Sequence, residues 1–283
     1  MAETVGAAWR AVRDRLRASG NDNAALDARL LAAEAFGLDS AGLIAREFEI
    51  AADTAVDRLN ALARRRSGGE PIARILGRQE FHGLQFALDR ATLVPRPETE
   101  LLVDLAVEAL SARDEPRILD LGTGSGCIAI SILFQIRNAT AVGVDIARDA
   151  LSVARSNATR HGVADRLDLR AGNWFEAVGP DEFFDLIVSN PPYIESSEIP
   201  RLEPEVREHD PLAALDGGAD GLDAYRIIVG RAASHLRPDG VLLLEVGASQ
   251  AEAVAGLAKS AGHDNVGVHK DIAGHDRAIS AKR

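Results

Sequence analysis

The sequence contains a single cysteine, Cys127, among its 283 residues, and only 4% of its residues are aromatic. One cysteine excludes an intramolecular disulfide framework and any metal cluster built on several cysteines. No run of eighteen or more apolar residues occurs, so the sequence predicts no membrane-spanning helix. Residues 1–5 show no charged segment leading into an apolar one, so we expect no signal peptide and a cytoplasmic protein.

The sequence also lacks an excess of basic residues, and its formal net charge at pH 7 is −11. Residues 1–90 are balanced, with 13 basic and 13 acidic side chains, whereas residues 91–283 hold 19 basic and 30 acidic ones. Proteins that bind duplex nucleic acid normally present a basic footprint. The charge distribution therefore argues against stable nucleic-acid binding, although it does not exclude a local basic groove.

Common signatures of metal and nucleophilic catalysis are missing as well. The seven histidines show no metal-ligand spacing, and no serine or cysteine lies in a nucleophile elbow. Cys127 falls in an apolar helical stretch and is predicted to be a core residue. Glu245 ends an apolar, strand-like run and is either an acid at the edge of a site or a structural acceptor. We therefore expect no metal site.

The N-terminal part of the sequence has helical periodicity. Apolar residues recur at helical spacing over residues 4–19, which predicts a helix there. Further helices are predicted from Asn21 or Asn23 to Gly37, over residues 40–47, and from a capping Asp53 to Arg66. Short connections between these helices predict a small bundle that forms one domain, residues 1–70. Residues 71–95 alternate loosely between apolar and polar, with glycines between them, which predicts a β-hairpin linker.

From Arg117 onwards, strand and helix patterns alternate. The predicted strands cover residues 117–121, 141–145, 167–171, 184–189, 240–246, 265–270 and 276–282. Such alternation predicts a doubly wound α/β sheet, parallel for most of its strands and ending in a hairpin, within a domain of residues 96–283. A polar loop, residues 194–218, follows the fourth strand and is long enough to indicate a functional role.

A glycine-rich segment, Gly122 to Gly126, follows the first of these strands and opens a helix. Glycines let a ligand approach the backbone closely, and a helix N-terminus presents free N–H groups. The G-x-G-x-G spacing differs from the G-x-G-x-x-G of dinucleotide binders, which argues against a pyrophosphate cofactor. A glycine-rich turn without a ligand is the alternative.

Asp145 ends the second strand, about twenty residues beyond the glycines, where an acid binds the ribose hydroxyls in this topology. Alternatively it caps the helix predicted over residues 148–161, and one carboxylate could serve both purposes. Asn173, Trp174 and Phe175 follow the third strand and either face an adenine or pack in the core. The glycine-rich segment and Asp145 follow one another in the order typical of nucleoside binding, so together they favour a nucleoside-containing cofactor.

The fourth strand runs into Asn190, Pro191, Pro192 and Tyr193. The two prolines remove backbone donors, so the carbonyls here stay available as acceptors. Asn190 adds a side-chain acceptor and Tyr193 adds a flat apolar face. Two acceptors beside an aromatic plane suit a planar NH2 group attached to a carbonyl or a ring. A proline-stiffened turn without such a ligand is the alternative.

The order of Leu-Asp-Leu-Gly-Thr-Gly-Ser-Gly, then Asp145, then Asn-Pro-Pro-Tyr resembles class I S-adenosylmethionine-dependent methyltransferases that act on nitrogen. More narrowly, the chain resembles the protein-(glutamine-N5) methyltransferases of peptide-chain release factors, the PrmC/HemK family. Two positions depart from the family pattern, because Asn173 replaces an acid and His82 replaces an aromatic residue. The similarity covers nearly the whole chain, with its most specific stretches at residues 69–72, 93–100, 205–211 and 271–283.

The resemblance implies a class I, Rossmann-like α/β fold. Its sheet would have seven mostly parallel strands with an antiparallel last strand, joined by a β-hairpin to an N-terminal helical substrate-docking domain. The implied reaction moves a methyl group from S-adenosyl-L-methionine to the side-chain amide nitrogen of the glutamine in a release factor's Gly-Gly-Gln motif.

The resemblance also implies which residues form the site. The cofactor would be bound by Gly122, Thr123, Gly124, Ser125, Gly126, Asp145, Trp174 and Asn190. The substrate would be bound by Asn190, Pro191, Pro192 and Tyr193, of which Asn190, Pro191 and Tyr193 would take part in catalysis.

Three alternatives stay open at this stage. A sibling family that methylates a ribosomal-protein glutamine shares the core motifs, although the N-terminal bundle favours release factors. An N6-adenine DNA methyltransferase would meet the same two donors on an exocyclic NH2, but it would need a basic recognition segment. A non-catalytic nucleotide-binding module would need the intact G-x-G-x-x-G motif.

Overall fold

The structure is a computed structural model of the chain, and it describes residues 3–283. The chain divides into two compact units. The first comprises the chain up to Gly77 together with Pro204–His209, and the second comprises Arg78–Glu203 and Asp210–Arg283. A short piece of the loop predicted over residues 194–218 therefore belongs to the first unit.

The first unit is helical. Its helices are α1 (Val5–Ala18), α2 (Ala24–Phe36), α3 (Ser40–Ala45), α4 (Asp53–Ser67), α5 (Ile72–Leu76) and the short α9 (Pro204–Arg207). Leu16, Leu31 and Leu59 are buried at its centre. Helices α1 to α5 each bury apolar residues there, and such packing is the main source of helix stability in a bundle.

Two local predictions need correction in this unit. Asp53 was predicted to cap α4, but Ala52 is the N-cap and Asp53 is the first helical residue. The carboxylate still lies where the helix dipole favours a negative charge. Within the predicted hairpin segment, residues Ile72–Leu76 form α5, which ends at Gly77 in a left-handed conformation with φ 66°. The apolar spacing there fits a helical turn as well as a strand.

The second unit begins with the hairpin itself. Strands β1 (Arg78–Phe81) and β2 (Leu84–Ala87) pair antiparallel. His82 and Gly83 both have positive φ, as a type I′ turn requires. The segment Pro97–Thr99 then forms one 3₁₀ turn that leads into α6 (Glu100–Leu110).

The second unit contains the seven-stranded sheet. Its strands are β3 (Arg117–Leu121), β4 (Thr140–Asp145), β5 (Leu167–Ala171), β6 (Phe184–Ser189), β7 (Leu236–Glu245), β8 (Asp264–Lys270) and β9 (Asp276–Lys282). Their order is β5-β4-β3-β6-β7-β9-β8, and β9 is antiparallel to both neighbours. This confirms the predicted fold class, including its antiparallel last strand.

Helices cover the two faces of this sheet, and each face has its own buried cluster. The helices are α6, α7 (Cys127–Gln135), α8 (Arg148–Arg160), α10 (Asp223–His235) and α11 (Ala251–Ser260). No helix within residues 3–283 is both long and apolar enough to cross a membrane.

Strand β3 has β4 on one side and β6 on the other. The chain therefore changes direction across the sheet at β3, and open α/β sheets bind ligands outside the carboxyl ends of the strands at such a point. Leu121 and Ser189 lie side by side as the last residues of β3 and β6. The glycine-rich segment and the Asn-Pro-Pro-Tyr segment consequently begin next to each other.

Candidate active site

The glycine-rich segment after β3 has an unusual backbone. Gly122, Gly124 and Gly126 have φ values of 74°, 56° and 81°, which a residue with a Cβ adopts only at a cost. The N–H groups of Gly122 and Thr123 both donate to the carbonyl oxygen of Val144, at 2.8 and 3.0 Å. The loop is thus tied to β4, and it delivers the chain to the N-terminus of α7.

Asp145 lies opposite this loop at the end of β4. Its Oδ2 accepts a hydrogen bond from the N–H of Gly124 at 2.8 Å, and its Oδ1 accepts one from the N–H of Ala147 at 2.8 Å. The N-cap of α8 is Ala147, so Asp145 does not cap that helix. The carboxylate instead joins β4 to the glycine loop, and its remaining lone pairs can still accept ligand hydroxyls.

An open cavity lies at these strand ends. Most residues of the predicted site line it, namely Gly122, Thr123, Gly124, Ser125, Asp145, Trp174, Asn190 and Pro192. Gly126, Pro191 and Tyr193 do not line it. A Cβ on Gly126 would come within 2.7 Å of Ile130 Cδ1, so that glycine is needed for packing under the loop.

Cys127 was predicted to be a core residue, but it is half-buried and lines the same cavity. It is the first residue of α7. Desolvation raises the pKa of its thiol to about 12, so it is neutral and poorly nucleophilic at physiological pH.

The aromatic segment after β5 divides between cavity and core. Asn173 and Trp174 line the cavity, whereas Phe175 is buried and stacks on His235 with ring centroids 5.1 Å apart. Asn173 and Glu176 form a reciprocal capping box that starts the 3₁₀ turn Trp174–Ala177. Trp174 has a φ of 50°, a strained value that places its indole beside the glycine loop.

The Asn-Pro-Pro-Tyr segment presents acceptors. Asn190 is half-buried, and its Nδ2 donates to Thr99 Oγ1 at 3.1 Å. Within residues 3–283, no donor contacts Asn190 Oδ1 or the carbonyl oxygen of Pro191. Pro191 and Pro192 have no N–H to form a sheet ladder. Two acceptors are therefore left without a donor, one on Asn190, which lines the cavity, and one on the residue that follows it.

Tyr193 follows these prolines and packs against the core cluster of its sheet face. Its backbone carbonyl oxygen accepts a hydrogen bond from Gln250 Nε2 at 2.9 Å. Burial, with a smaller effect of the nearby Glu245 carboxylate, raises the pKa of its phenol to about 12. Tyr193 is therefore neutral at pH 7, so its phenol is not poised to act as a base.

Sequence reasoning missed one positioning residue, Asn157. The buried Asn157 of α8 accepts from the N–H of Ala87 at 2.8 Å and donates to the carbonyl oxygen of Ser125 at 2.9 Å. It thereby connects the hairpin to the glycine loop. An amide at an apolar position of the helix is the signal that points to it.

The loop after Asn-Pro-Pro-Tyr is ordered rather than open. Its ends close through a parallel bridge between Ile194 and Asp216, and Arg96 Nη2 donates to the buried Asp210 at 2.8 Å. Arg96 and Pro211 both line the cavity. Arg96 of the stretch 93–100 and Asp210 of the stretch 205–211 thus form an ion pair within the second unit.

Two families match parts of the chain. Residues 7–77 match the PrmC N-terminal domain, and residues 99–202 match the methyltransferase small domain. Among curated proteins, the chain is similar to a release factor glutamine methyltransferase of Bradyrhizobium diazoefficiens, with 47% identity over 99% of this chain and 95% of that protein. It is also similar to one of Agrobacterium fabrum, with 42% identity over 99% and 98%.

Solved structures resemble the chain in fold at low sequence identity. A methyltransferase from Pyrococcus furiosus has a TM-score of 0.52 at 19% identity and covers 71% of this chain and 89% of its own. A T. thermophilus 16S rRNA methyltransferase has a TM-score of 0.53 at 18% identity, over 73% of this chain and 49% of its own. These neighbours support the class I methyltransferase fold.

Proposed function

The chain belongs to the family of release factor glutamine methyltransferases, and we propose that it methylates a glutamine side-chain amide nitrogen, N5, in the Gly-Gly-Gln motif of peptide-chain release factors. S-adenosyl-L-methionine is the methyl donor, and the cytoplasm is the proposed location. The observation that carries the proposal is the pair of acceptors without donors at the end of β6, Asn190 Oδ1 and the carbonyl oxygen of Pro191. They match the two N–H groups of a primary amide.

The cavity suits a nucleoside-containing methyl donor. Asp145 can accept hydrogen bonds from ribose hydroxyls, and the indole of Trp174 offers a face for an adenine ring. Thr123, Gly124 and Ser125 bring backbone groups to the cavity wall without bulky side chains. When bound, S-adenosyl-L-methionine supplies an electrophilic methyl group on a sulfonium.

The substrate presents a difficulty, since the lone pair of an amide nitrogen is delocalised into its carbonyl. In our proposal, Asn190 Oδ1 and the Pro191 carbonyl oxygen each accept one N–H of the glutamine amide, while Tyr193 limits motion of its plane. Holding a reactant in a reactive orientation can contribute several kcal/mol, within the roughly 7–11 kcal/mol available to ideal intramolecular reactions.

The same two acceptors act more strongly in the transition state. The attacking nitrogen gains positive charge, so its N–H groups become better donors and their bonds to Asn190 and Pro191 strengthen. No residue has to remove a proton before transfer, because the extra proton can leave the nitrogen afterwards.

We further propose that residues 1–70 dock the release factor. Ile44, Phe48 and Ile50 are 73%, 81% and 72% exposed within one short stretch. Clustered exposed apolar side chains mark protein-contact surfaces. The first 90 residues have no basic excess, so this surface fits a protein better than a phosphate backbone.

The function is tested with labelled S-adenosyl-L-methionine and purified release factors, ribosomal proteins and DNA in parallel reactions. Label should enter an intact release factor, and replacing the glutamine of its Gly-Gly-Gln motif should abolish incorporation. Preferential labelling of a ribosomal protein would assign the sibling activity. Preferential labelling of adenine in DNA would overturn the glutamine assignment and the expectation of no stable nucleic-acid binding.

The docking proposal predicts that Phe48→Asp raises the KM for an intact release factor about tenfold, because losing a contributing interface side chain costs about 1 kcal/mol or more and about 1.4 kcal/mol corresponds to a factor of ten. The KM for S-adenosyl-L-methionine and the melting temperature should not change. Ile272→Asp, at a residue 109% exposed in the second unit, is the matched control and should behave like the parent. An unchanged KM in Phe48→Asp would remove this surface from the docking site.

A further inference from the structure

The acid that ends β7 is deeply buried although no role in methyl transfer requires it. Glu245 is 2% exposed, and a buried carboxylate is costly unless it is held by hydrogen bonds. Thr99 Oγ1 donates to Glu245 Oε2 at 2.6 Å. Thr99 is itself 2% exposed and lies in the segment that precedes α6.

The contact continues to the acceptor segment. Asn190 Nδ2 donates to Thr99 Oγ1 at 3.1 Å, so three side chains form one chain of hydrogen bonds from Asn190 through Thr99 to Glu245. Asn190 also acts directly on the Glu245 carboxylate, whose pKa it lowers slightly by hydrogen bonding. No backbone group intervenes, and the three residues come from three separate parts of the second unit. This chain of hydrogen bonds ends at Glu245, the only one of the three side chains that can act purely as an acceptor.

The chemistry of Glu245 determines the direction of every bond in this chain. An ionised carboxylate only accepts hydrogen bonds, so the Thr99 hydroxyl must donate its single hydrogen bond to Glu245. Thr99 oxygen then offers only lone pairs to Asn190, and only the NH2 end of the amide can satisfy it. The Oδ1 end of Asn190 must therefore face away from Thr99.

We propose that Glu245 and Thr99 are positioning residues that fix the amide orientation of Asn190, so that Oδ1 rather than the NH2 group faces the substrate amide. This proposal rests on the proposed function. It gives Thr99 a role within the stretch of residues 93–100 and it resolves the alternatives for Glu245. The opposite amide orientation would present donors to a substrate that also presents donors.

The orientation should depend on pH. Burial raises the pKa of Glu245 to about 7, and the ionised form predominates above that value. When Glu245 is protonated it can donate to Thr99, the hydroxyl can turn towards Asn190, and the amide is free to flip. Turnover should therefore fall as pH drops through about 7. The charged and titratable groups that face Glu245 are Arg277 of β9, Glu98 before α6, Tyr193 after β6, Tyr225 of α10 and Cys127 of α7.

Asp120 is a second buried acid whose pKa burial raises to about 7, so an acidic limb in the wild-type profile is not sufficient evidence. The decisive comparison uses Glu245→Gln, Thr99→Val and Thr99→Ser in the full chain. Glu245→Gln and Thr99→Val should lower kcat about tenfold, since charge-assisted hydrogen bonds are about twice as strong as neutral ones. The KM for S-adenosyl-L-methionine should stay the same.

The shape of the pH profile separates positioning from packing. In Glu245→Gln, the fall of kcat below about pH 7 should disappear. Thr99→Ser keeps the hydroxyl, so it should retain both the kcat of the parent enzyme and this fall at acidic pH. Ser131→Ala removes another buried hydroxyl of the same unit and should change neither. Wild-type kcat with an intact acidic limb in both Glu245→Gln and Thr99→Val would overturn the proposal.

A measurement without any substrate distinguishes failure of this proposal from failure of the proposed function. The side-chain amide signals of Asn190 in a ¹H–¹⁵N spectrum, assigned with Asn190→Ala, should shift with an apparent pKa near 7. The shift should disappear in Glu245→Gln and persist in Ser131→Ala. Asn190 signals that do not respond to pH in the parent protein would refute the orientation role even if release factors are methylated.

Discussion

The segments that follow β3 and β6 begin side by side at the carboxyl edge of the sheet, and they contrast in their chemistry. The glycine segment after β3 gains its form from left-handed glycines and from N–H groups that donate to Val144. The Asn-Pro-Pro-Tyr segment after β6 has two prolines without N–H groups, and it leaves two oxygen atoms without donors. The glycine segment forms part of the wall of a cavity, and the Asn-Pro-Pro-Tyr segment supplies acceptors, beginning with Asn190 on that wall.

From this contrast we expect the two segments to have different roles, one in binding the cofactor and the other in methyl transfer. Changes in the glycine segment and at Asp145 should affect the binding of S-adenosyl-L-methionine, and changes at Asn190 should affect turnover. The distinction would be wrong if changes in the glycine segment altered only turnover, or if changes at Asn190 altered only the binding of S-adenosyl-L-methionine. The following variants test it in order of decreasing expected effect.

Asn190→Ala should reduce single-turnover rates about 100-fold to 1000-fold, the range found when a preorganised transition-state hydrogen bond is removed. The dissociation constant for S-adenosyl-L-methionine should change little, because the glycine segment is untouched. Rapid-quench methyl transfer and titration calorimetry measure the two quantities. A rate equal to that of the parent enzyme would refute the acceptor role of Asn190.

Gly124→Val should weaken binding of S-adenosyl-L-methionine more than any other change in the glycine segment. The φ of 56° disfavours a β-branched residue by roughly 1–2 kcal/mol, and the side chain would project where the ligand needs close approach. Gly230→Val in α10 is the matched control, because nothing lies within 4 Å of a Cβ there. Calorimetry giving equal affinities for both variants would contradict a ligand role for the loop.

Asp145→Ala should weaken the same binding by about 1–3 kcal/mol, the usual effect of removing a charged hydrogen-bonding partner. Part of this loss comes from the glycine loop, since the N–H of Gly124 loses its acceptor. The rate of methyl transfer at saturating S-adenosyl-L-methionine should change much less than the affinity. A lower rate with unchanged affinity would show that Asp145 acts in methyl transfer and not in binding S-adenosyl-L-methionine.

Tyr193→Phe should have the smallest effect, with kcat within about twofold of the parent, because hydroxyls without partners contribute little. Within residues 3–283, no side chain or backbone group contacts the Tyr193 hydroxyl at hydrogen-bonding distance. Tyr193→Ala, in contrast, removes the ring and should lower kcat and raise the KM for the protein substrate. A strong defect in Tyr193→Phe would show that the hydroxyl acts on the substrate.

The fold and much of the cavity wall were predictable because their causes are local. Period-two and period-3.6 apolar patterns specify strands and helices within a few residues, and glycines announce left-handed turns. The strand predictions 117–121, 167–171, 184–189 and 276–282 agree with the observed bounds. Local reasoning failed where two local outcomes were equally good, as for Asp53 at the start of α4 and the turn of α5.

The sequence by itself determined the alternation of strands and helices, the left-handed glycines after β3, and the acceptors that two prolines leave free after β6. Only the tertiary structure decided that the NH2 end of the Asn190 amide bonds to Thr99. Thr99 and Asn190 are 91 positions apart, and Thr99 and Glu245 are 146 positions apart. Hydrogen bonds act over about 3 Å irrespective of separation along the chain, so no periodicity or spacing in the sequence records them. The packing of β6 beside β7 and the segment before α6 brings these side chains together.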